Sequence, residues 1–310
     1  MKRMAESNHK SYLVLTAAAA SWGVATVISK QAVTEIPPLA LLPIQLITSL
    51  LVLGALKGVK GRQPWTRETT RLGLLGFLNP GLSYALGLIG LTQITASLSV
   101  VLWATEPIMI LVLAALLLHE TITRSMALAI GLTSIGVLLA AGEANTRGTL
   151  LGISFTLAGV AACAIYTVIT RRWLGEDSTL TVIGAQQACA LIFALGLLGT
   201  LMLRGESFAV ASWSRGAWVS ALVSGVLYYA LAFWLYLTGL RRIPAALAGL
   251  FLNLIPIFGV GAGYLLGERL SALQTLGAVL IVGAVGSMLW VRARSIPLTA
   301  QVSSIIVDDR

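Results

Sequence analysis

Apolar runs long enough to cross a lipid bilayer alternate with short polar connections along the 310 residues. An α-helix rises about 1.5 Å per residue, so about 20 residues cross the roughly 30 Å hydrocarbon core. Ten runs meet or approach that length, and the pattern predicts an all-α integral membrane protein with ten transmembrane helices. The predicted spans are 12–33, 38–56, 72–91, 96–118, 126–141, 150–171, 180–203, 217–240, 245–266 and 273–291.

The start of the chain has a feature of signal peptides, a basic segment followed by an apolar run with small residues. The apolar run continues past these alanines to Val33, so we interpret 12–33 as the first span. The longest pieces between or after spans are 57–71 and 292–310, and neither is long enough for a soluble domain.

Composition agrees with a membrane protein, since 57% of the residues are hydrophobic and only 11% are charged. The net charge of +9 would suggest nucleic acid as the partner of a soluble protein, but its distribution indicates topology. Of the 21 Lys and Arg, 16 lie on the side of the amino terminus, four lie opposite and Lys30 lies within the first span. By the positive-inside rule both termini are predicted to be cytoplasmic. The expected surroundings are membrane lipid, with no nucleic acid.

Few residues offer chemistry for an enzyme. Cys163 and Cys189 fall inside predicted spans, where we interpret them as packing residues. His9 and His119 lie outside the spans, so neither a metal site nor a His-based dyad is predicted in the membrane. The Gly-rich run at 259–263 follows no strand and is interpreted as close helix packing. We therefore expect no enzyme activity, no metal and no cofactor.

An internal repeat divides the chain. Identical residues recur at an offset of 149 in the pairs Ile94/Ile243, Ala96/Ala245, Leu98/Leu247 and Pro107/Pro256. Thr-Val-Ile recurs at 26–28 and 167–169, an offset of 141. We predict two domains, 1–142 with helices 1–5 and 143–310 with helices 6–10. Because five is an odd number, the second half must enter the membrane from the opposite side. Such inverted repeats are a known basis of alternating access.

Several short motifs follow one another along the chain, and the later ones recur in the second half. They comprise Trp22-Gly23 with Lys30, the patterns from Pro107 to Glu120 and from Pro256 to Glu268, and the later Gly131 and Gly277. With these motifs the chain resembles the drug/metabolite transporter superfamily, in its ten-helix branch of two EamA-type domains. The Pro-to-Glu spacing is 13 in one half and 12 in the other, so one helix end differs by a residue. The resemblance implies a bacterial inner-membrane exporter of amino acids or related metabolites.

Glu106 is the one acidic residue deep inside a predicted span. A charged side chain at a helix centre costs about 2.5 to 3.5 kcal/mol on insertion scales. Helical spacing places it on one stripe with Ser99 and Trp103, while Pro107 leaves the Trp103 carbonyl free for another partner. Two interpretations stay open: a packing carboxyl bonded to a neighbouring helix, or a site for a substrate ammonium or a transported proton. Its repeat counterpart is Ile255, so the halves are not expected to contribute equally.

Polar and aromatic side chains at similar depth predict a central cavity. The candidate substrate-binding residues are Trp22, Thr26, Asn79, Ser83, Trp103, Glu106, Tyr166, Tyr229, Phe233 and Asn253. Bends are predicted at Pro80, Pro107 and Pro256. Lys30 is expected to snorkel to the interface, and Gln186 and Gln187 are interpreted as contacts between helices. Hydroxyls, amides and rings suit a small amphiphile with an amino group better than a sugar phosphate.

The leading hypothesis is a secondary transporter that exports neutral or aromatic amino acids and similar small metabolites, as a monomer or a homodimer. One alternative is a multidrug or quaternary-ammonium exporter. From other classes, an intramembrane lipid-modifying enzyme would need a buried nucleophile with a base, and a receptor or assembly subunit would not need an inverted repeat.

Overall fold

A computed structural model describes residues 2–60, 66–118, 124–141, 147–173, 178–240, 251, 252 and 254–295. Within these ranges the regular structure is helical and contains no strand. The α-helices are α1 (Lys2–Ala32), α2 (Pro38–Lys60), α3 (Arg67–Leu74), α4 (Ser83–Gln93), α5 (Ala96–Trp103), α6 (Glu106–Leu118), α7 (Arg124–Ala141), α8 (Arg147–Trp173), α9 (Thr179–Leu203), α10 (Arg215–Gly225), α11 (Ala232–Leu240), α12 (Leu254–Leu265) and α13 (Ala272–Ser295).

The apolar segments of these helices match the predicted spans. Among the described residues, six helices are long and apolar enough to cross a membrane: Ser11–Ala32, Pro38–Lys57, Arg67–Gln93, Thr149–Thr170, Thr179–Leu203 and Arg215–Tyr236. Four shorter apolar helices complete the series: Ala96–Ile110, Ala127–Leu139, Leu254–Leu265 and Ala272–Ala284. The multi-span helical membrane fold is therefore confirmed.

The fourth span, predicted as one run with a bend at Pro107, is divided into two helices. Helix α5 ends at Trp103, Ala104 and Thr105 form a turn, and α6 begins at Glu106. The physical reason is Pro107, which has no N–H to donate and therefore fits the first turn of a helix rather than its interior. The division places the Glu106 carboxyl at a helix start within the span.

The third and eighth spans both lose α-helical geometry near their middle. A π-helical turn covers Leu78–Leu82 in the third span and Val226–Leu231 in the eighth. In the third span Asn79 has extended backbone angles, φ −144° and ψ 120°, as favoured before a proline. The eighth span reaches a similar irregularity with no proline, and the sequence pattern did not reveal it. The two turns start 148 residues apart and so occupy equivalent places in the two halves.

Helix packing shows the internal symmetry of the fold. Equivalent spans pack against each other, namely α2 with α9, α5 with α12, and α7 with α13. The third span packs against the sixth through α4 and α8, and the eighth packs against the first through α10, α11 and α1. In the same way, α6 of the fourth span packs against α8, and α12 of the ninth span packs against α1. If each span is replaced by the span five places later or earlier in the chain, the same set of helix contacts is obtained. With five spans in each half, this pseudo-two-fold axis lies in the membrane plane, which confirms the inverted repeat.

Two glycine–glutamine contacts repeat across the halves at very short range. A Cβ added at Gly225 would lie 2.8 Å from the Gln45 carbonyl oxygen, and one at Gly76 would collide with the Gln186 carbonyl oxygen. Gly76 and Gly225 are 149 residues apart, and Gln45 and Gln186 are 141 apart. These are the two offsets of the sequence repeat. Only a residue without a side chain lets the backbones come this close.

Candidate functional site

A small cavity lies between the two halves, where α1, α2, α4 and α5 meet the π-helical turn of the eighth span. Its lining residues are Thr26, Ser29, Gln45, Tyr84, Gly87, Leu88, Leu91, Ser99, Trp103, Tyr228 and Tyr229. Its volume is about 20 Å³. A cavity of that size has room for about one water molecule. The cavity must therefore widen before it can hold a metabolite.

Aromatic rings form most of one cavity wall, with Tyr84 at their centre. Its ring stacks on Trp103 with centroids 5.5 Å apart and an interplanar angle of 19°. It also meets Tyr228 and Tyr229 edge to face, each at 5.1 Å. Trp103 and Tyr84 belong to the first half, and the other two tyrosines belong to the second. The rings thus join the halves through a surface suited to apolar or cationic groups.

Gln45 supplies the amide of the cavity and is fully buried. Its Nε2 donates to the Ser29 hydroxyl at 3.0 Å and to the Ser224 hydroxyl at 2.7 Å. Its Oε1 is buried with no hydrogen-bond partner in the described part of the chain. Buried polar atoms are nearly always paired, so an unpaired acceptor in a cavity wall is a candidate contact for a ligand donor.

Gln187 connects α9 to α2 on one side and to the eighth-span turn on the other. The Ser49 hydroxyl donates to its Oε1 at 2.6 Å, and its Nε2 donates to the Tyr229 carbonyl at 2.9 Å. The carbonyl of a π-helical residue is thereby paired, which holds the turn that carries Tyr228 and Tyr229. The predicted role of Gln187 as a contact between helices agrees with this geometry.

Glu106 lies one helical turn beyond Trp103 and faces α8. Its Oε1 accepts hydrogen bonds from the Cys163 thiol at 3.3 Å and from the Thr167 hydroxyl at 3.4 Å. The carboxyl group is half-buried and is not part of the cavity lining. A thiol is a weak donor and the Thr167 bond is long, so the two contacts hold the carboxyl weakly and leave it able to exchange partners.

The equivalent place in the other half is apolar. Ile255, the repeat counterpart of Glu106, packs against Trp22, the counterpart of Cys163. Trp22 is buried among rings, 5.3 Å from Phe233 and 5.5 Å from Tyr236 between centroids, and its Nε1 has no partner in the described part. The two halves therefore present different chemistry at the same depth, a carboxyl group on one side and an aromatic cluster on the other.

The structure distributes the predicted site residues over several environments. Thr26, Trp103 and Tyr229 line the cavity. Asn79 and Ser83 bond to each other, the hydroxyl donating to Asn79 Oδ1 at 2.6 Å, and both are buried away from the cavity lining.

The remaining candidates are placed as follows. The Tyr166 hydroxyl donates to Gln186 Oε1 at 2.9 Å across the second half. Lys30, expected to snorkel, instead donates from Nζ to the Leu91 carbonyl at 2.7 Å. Asn253 lies outside the described residues.

The candidate list from the sequence missed most of the lining, including Gln45, Tyr84 and Tyr228, which supply the amide and two of the four rings. A signal existed for Gln45, because it is the one amide in the second span and has Gln186 as its counterpart at an offset of 141. No such signal marked the two tyrosines. Their rings meet because a π-helical turn and the packing of different halves bring them together.

These features define a class of protein: a multi-span membrane transporter with two inverted halves and a cavity between them. The profile of the EamA-like transporter family matches residues 9–142 and again 150–290, and the chain belongs to this family.

Relatives in other organisms carry the same general description. The chain is 26% identical to the uncharacterized transporter YetK of Bacillus subtilis over 294 residues, which cover 89% of this chain and 85% of the relative. It is 23% identical to an uncharacterized transporter of Archaeoglobus fulgidus over 276 residues, 88% of this chain and 96% of the relative. A solved crystal structure of a protein 17% identical matches the fold with a TM-score of 0.63, over 93% of this chain and 98% of that one. The protein is thus a small-molecule transporter in a membrane lipid environment.

Proposed function

We propose that the protein exports neutral or aromatic amino acids and similar small metabolites across a bacterial inner membrane by alternating access. The halves divide after residue 142 and rock about the cavity between them. Both termini face the cytoplasm, so the end of the bundle at Ala32 and Pro38 faces outwards.

One observation carries this proposal: a cavity between the halves combines four aromatic rings with hydroxyls and an amide. Rings accommodate an apolar side chain, and the hydroxyls of Thr26 and Ser29 together with Gln45 offer partners to polar ends. The described lining residues include no Lys or Arg. A sugar phosphate would need such groups to offset its charge, so the lining favours a zwitterion or a weakly charged amphiphile.

Counterflow in liposomes tests the proposal. Purified protein is reconstituted with an internal unlabelled pool, and accumulation of labelled alanine, threonine, phenylalanine, tryptophan, a sugar phosphate and tetraphenylphosphonium is measured. We expect accumulation of neutral and aromatic amino acids and none of the sugar phosphate. Accumulation of the sugar phosphate alone would refute the proposal.

Trp103→Ala should reduce counterflow roughly tenfold, because it removes a cavity ring and its stacking on Tyr84. Trp173→Ala is the matched control, since that ring is 46% exposed at the end of α8 and far from the lining. Equal transport by the two variants would show that the substrate does not use the ring cluster.

A quaternary-ammonium exporter is the second candidate, and the ring cluster favours it as well. Aromatic faces attract cations, which is how quaternary ammonium groups are commonly recognised. Tetraphenylphosphonium in the same panel distinguishes the candidates: its accumulation, with none of the amino acids, would assign the cavity to organic cations.

The orientation of the protein in the membrane can be tested by cysteine labelling. The parent for this test carries Cys163→Ser and Cys189→Ala, so that no native thiol remains. A cysteine replacing Ser207, which is exposed between α9 and α10, should react with an impermeant thiol reagent added to intact cells. A cysteine replacing Thr70, exposed near the start of α3, should react only after permeabilisation. The opposite pattern would reverse the proposed topology.

A further inference from the structure

Glu268 binds the start of a helix from the other half. It follows α12, and its Oε1 accepts from the Ala96 backbone N–H at 2.9 Å. Its Oε2 accepts from the Ser97 N–H at 2.9 Å and from the Ser97 hydroxyl at 2.7 Å. The first N–H groups of a helix have no partner inside it and carry partial positive charge. A carboxylate of the second half thus completes the amino terminus of α5 in the first half.

Glu35 makes the reciprocal contact from the first half to the second. It lies between α1 and α2, and its Oε2 accepts from the Ser214 N–H at 2.7 Å while its Oε1 accepts from the Ser214 hydroxyl at 2.7 Å. Ser214 is the N-cap of α10 and accepts from the Ala217 N–H at 3.1 Å. These hydrogen bonds, with the backbone one the stronger cause, lower the pKa of the Glu35 carboxyl below its ordinary value.

Both contacts lie at one end of the bundle, here named the Glu35 end and defined by Glu35, Ser214, Ala96, Ser97 and Glu268. Helix α1 ends there, and α5 and α10 begin there. The contacts are therefore two cross-half bonds on one side of the membrane.

The cavity lies directly below this end. Ser99, part of its lining, lies two residues, or about 3 Å along the helix, from the Ser97 N–H that Glu268 binds. Leu91, another lining residue, accepts the Lys30 bond just before the turn into α5. Holding the start of α5 against the second half therefore also holds the cavity wall closed from the Glu35 end.

We propose that Glu35 and Glu268 form the gate that closes the cavity at this end, and that both must release their helix amino termini for it to open. The proposal rests on the alternating access proposed above. Charge-assisted hydrogen bonds to backbone N–H groups favour the closed arrangement. The Glu35 contact is exposed, so water can replace it during opening at little cost.

Sidedness of cysteine labelling tests the gate without any substrate. Ser99→Cys is placed in the background Cys163→Ser, Cys189→Ala, and a charged methanethiosulfonate reagent is added on the side of the Glu35 end, as determined by the topology test. Glu35→Ala and Glu268→Gln should each raise the labelling rate roughly threefold, the size expected when one hydrogen-bonded contact worth about 0.5 to 1 kcal/mol is lost. Because the two contacts are separate, the double variant should label roughly tenfold faster.

Two controls separate gating from general loosening. Glu206→Ala removes an exposed glutamate at the same end. Ser49→Ala removes a hydrogen bond between the halves in the middle of α2, where it donates to Gln187. Both should label at the parent rate. Total labelling in detergent and elution as a single species are checked for every variant, so that misfolded protein is not scored as open.

Parent-rate labelling in the double variant, or equal acceleration by Ser49→Ala, would overturn the gate. Faster labelling in a protein that transports none of the panel would leave the gate standing and refute only the proposed substrates. Normal counterflow with unchanged labelling in the double variant would refute the gate and leave the proposed transport function standing.

Discussion

Glu106→Gln should reduce transport at least roughly tenfold and abolish its pH dependence, while the protein remains folded. The amide keeps the size of the side chain and one acceptor for Cys163 and Thr167, but it neither carries charge nor exchanges a proton. A substrate ammonium would lose its counter-ion, and a transported proton would lose its carrier. The measurement is counterflow in liposomes from pH 5.5 to 8.5, with the amount of reconstituted protein equalised.

Glu106→Asp is the matched variant, because it keeps the carboxyl group but shortens its reach. We expect slower transport that still responds to pH. Thr167→Val removes the long hydrogen bond from the hydroxyl and should leave the pH response in place. If Glu106→Gln transports normally with the parent pH profile, the carboxyl is a packing group. The substrate contacts would then lie among Thr26, Gln45, Tyr84 and Trp103.

Stability distinguishes the two interpretations of Glu106 independently. A carboxyl kept only for packing should lower the melting temperature when changed to Gln, since its hydrogen bonds weaken. A carboxyl kept for function carries an insertion cost of about 2.5 to 3.5 kcal/mol in a membrane, so Gln should leave stability unchanged or raise it. Melting of the detergent-solubilised variants shows which applies.

Gly225→Ala and Gly76→Ala should each destabilise the fold by about 1 to 3 kcal/mol, the usual cost of forcing extra volume into a packed core. At Gly225 the new methyl group would lie 2.8 Å from the Gln45 carbonyl oxygen and 2.9 Å from the Gln45 Cα, both backbone atoms. Because these atoms cannot rotate away, whole helices must separate. The measurement is the apparent melting temperature in detergent.

Gly196→Ala is the matched control, since it lies inside α9 and a Cβ there meets nothing within 4 Å. It should leave the melting temperature unchanged or raise it slightly, because alanine is the better helix former by up to about 1 kcal/mol. If the melting temperature falls by the same amount in all three variants, the glycine–glutamine contacts are no more important for packing than an ordinary helix position.

The order of the spans followed from hydropathy because crossing a membrane demands a minimum length of apolar helix. Each predicted span has an apolar helix in the structure, including the short fourth and fifth. The inverted repeat followed from two offsets, 149 and 141, with an odd number of spans per half. Family membership was recognised from motifs such as the Pro256 to Glu268 pattern and is confirmed.

The interior of the spans was less predictable. A bend was predicted at Pro107, but the two-residue turn that divides the span after Trp103 was not, because hydropathy averages over about 18 residues and does not register so short a break. The π-helical turn at Val226–Leu231 has no proline to signal it. It depends on partners from other helices, such as Gln187, which pairs the Tyr229 carbonyl.

Sequence was sufficient for the number and order of the spans and for which span of one half corresponds to which span of the other. These features depend on segment length, hydropathy and the repeat offset, all of which can be taken directly from the chain. The rotation of each helix about its own axis could not be predicted from the sequence. Lipid is as apolar as the protein interior, so a stripe of Leu and Ala does not indicate which face is inward. Packing between the halves therefore placed Tyr84 and Tyr228 in the cavity, turned Glu106 towards α8, and brought Glu35 and Glu268 to helix starts 179 and about 171 residues away.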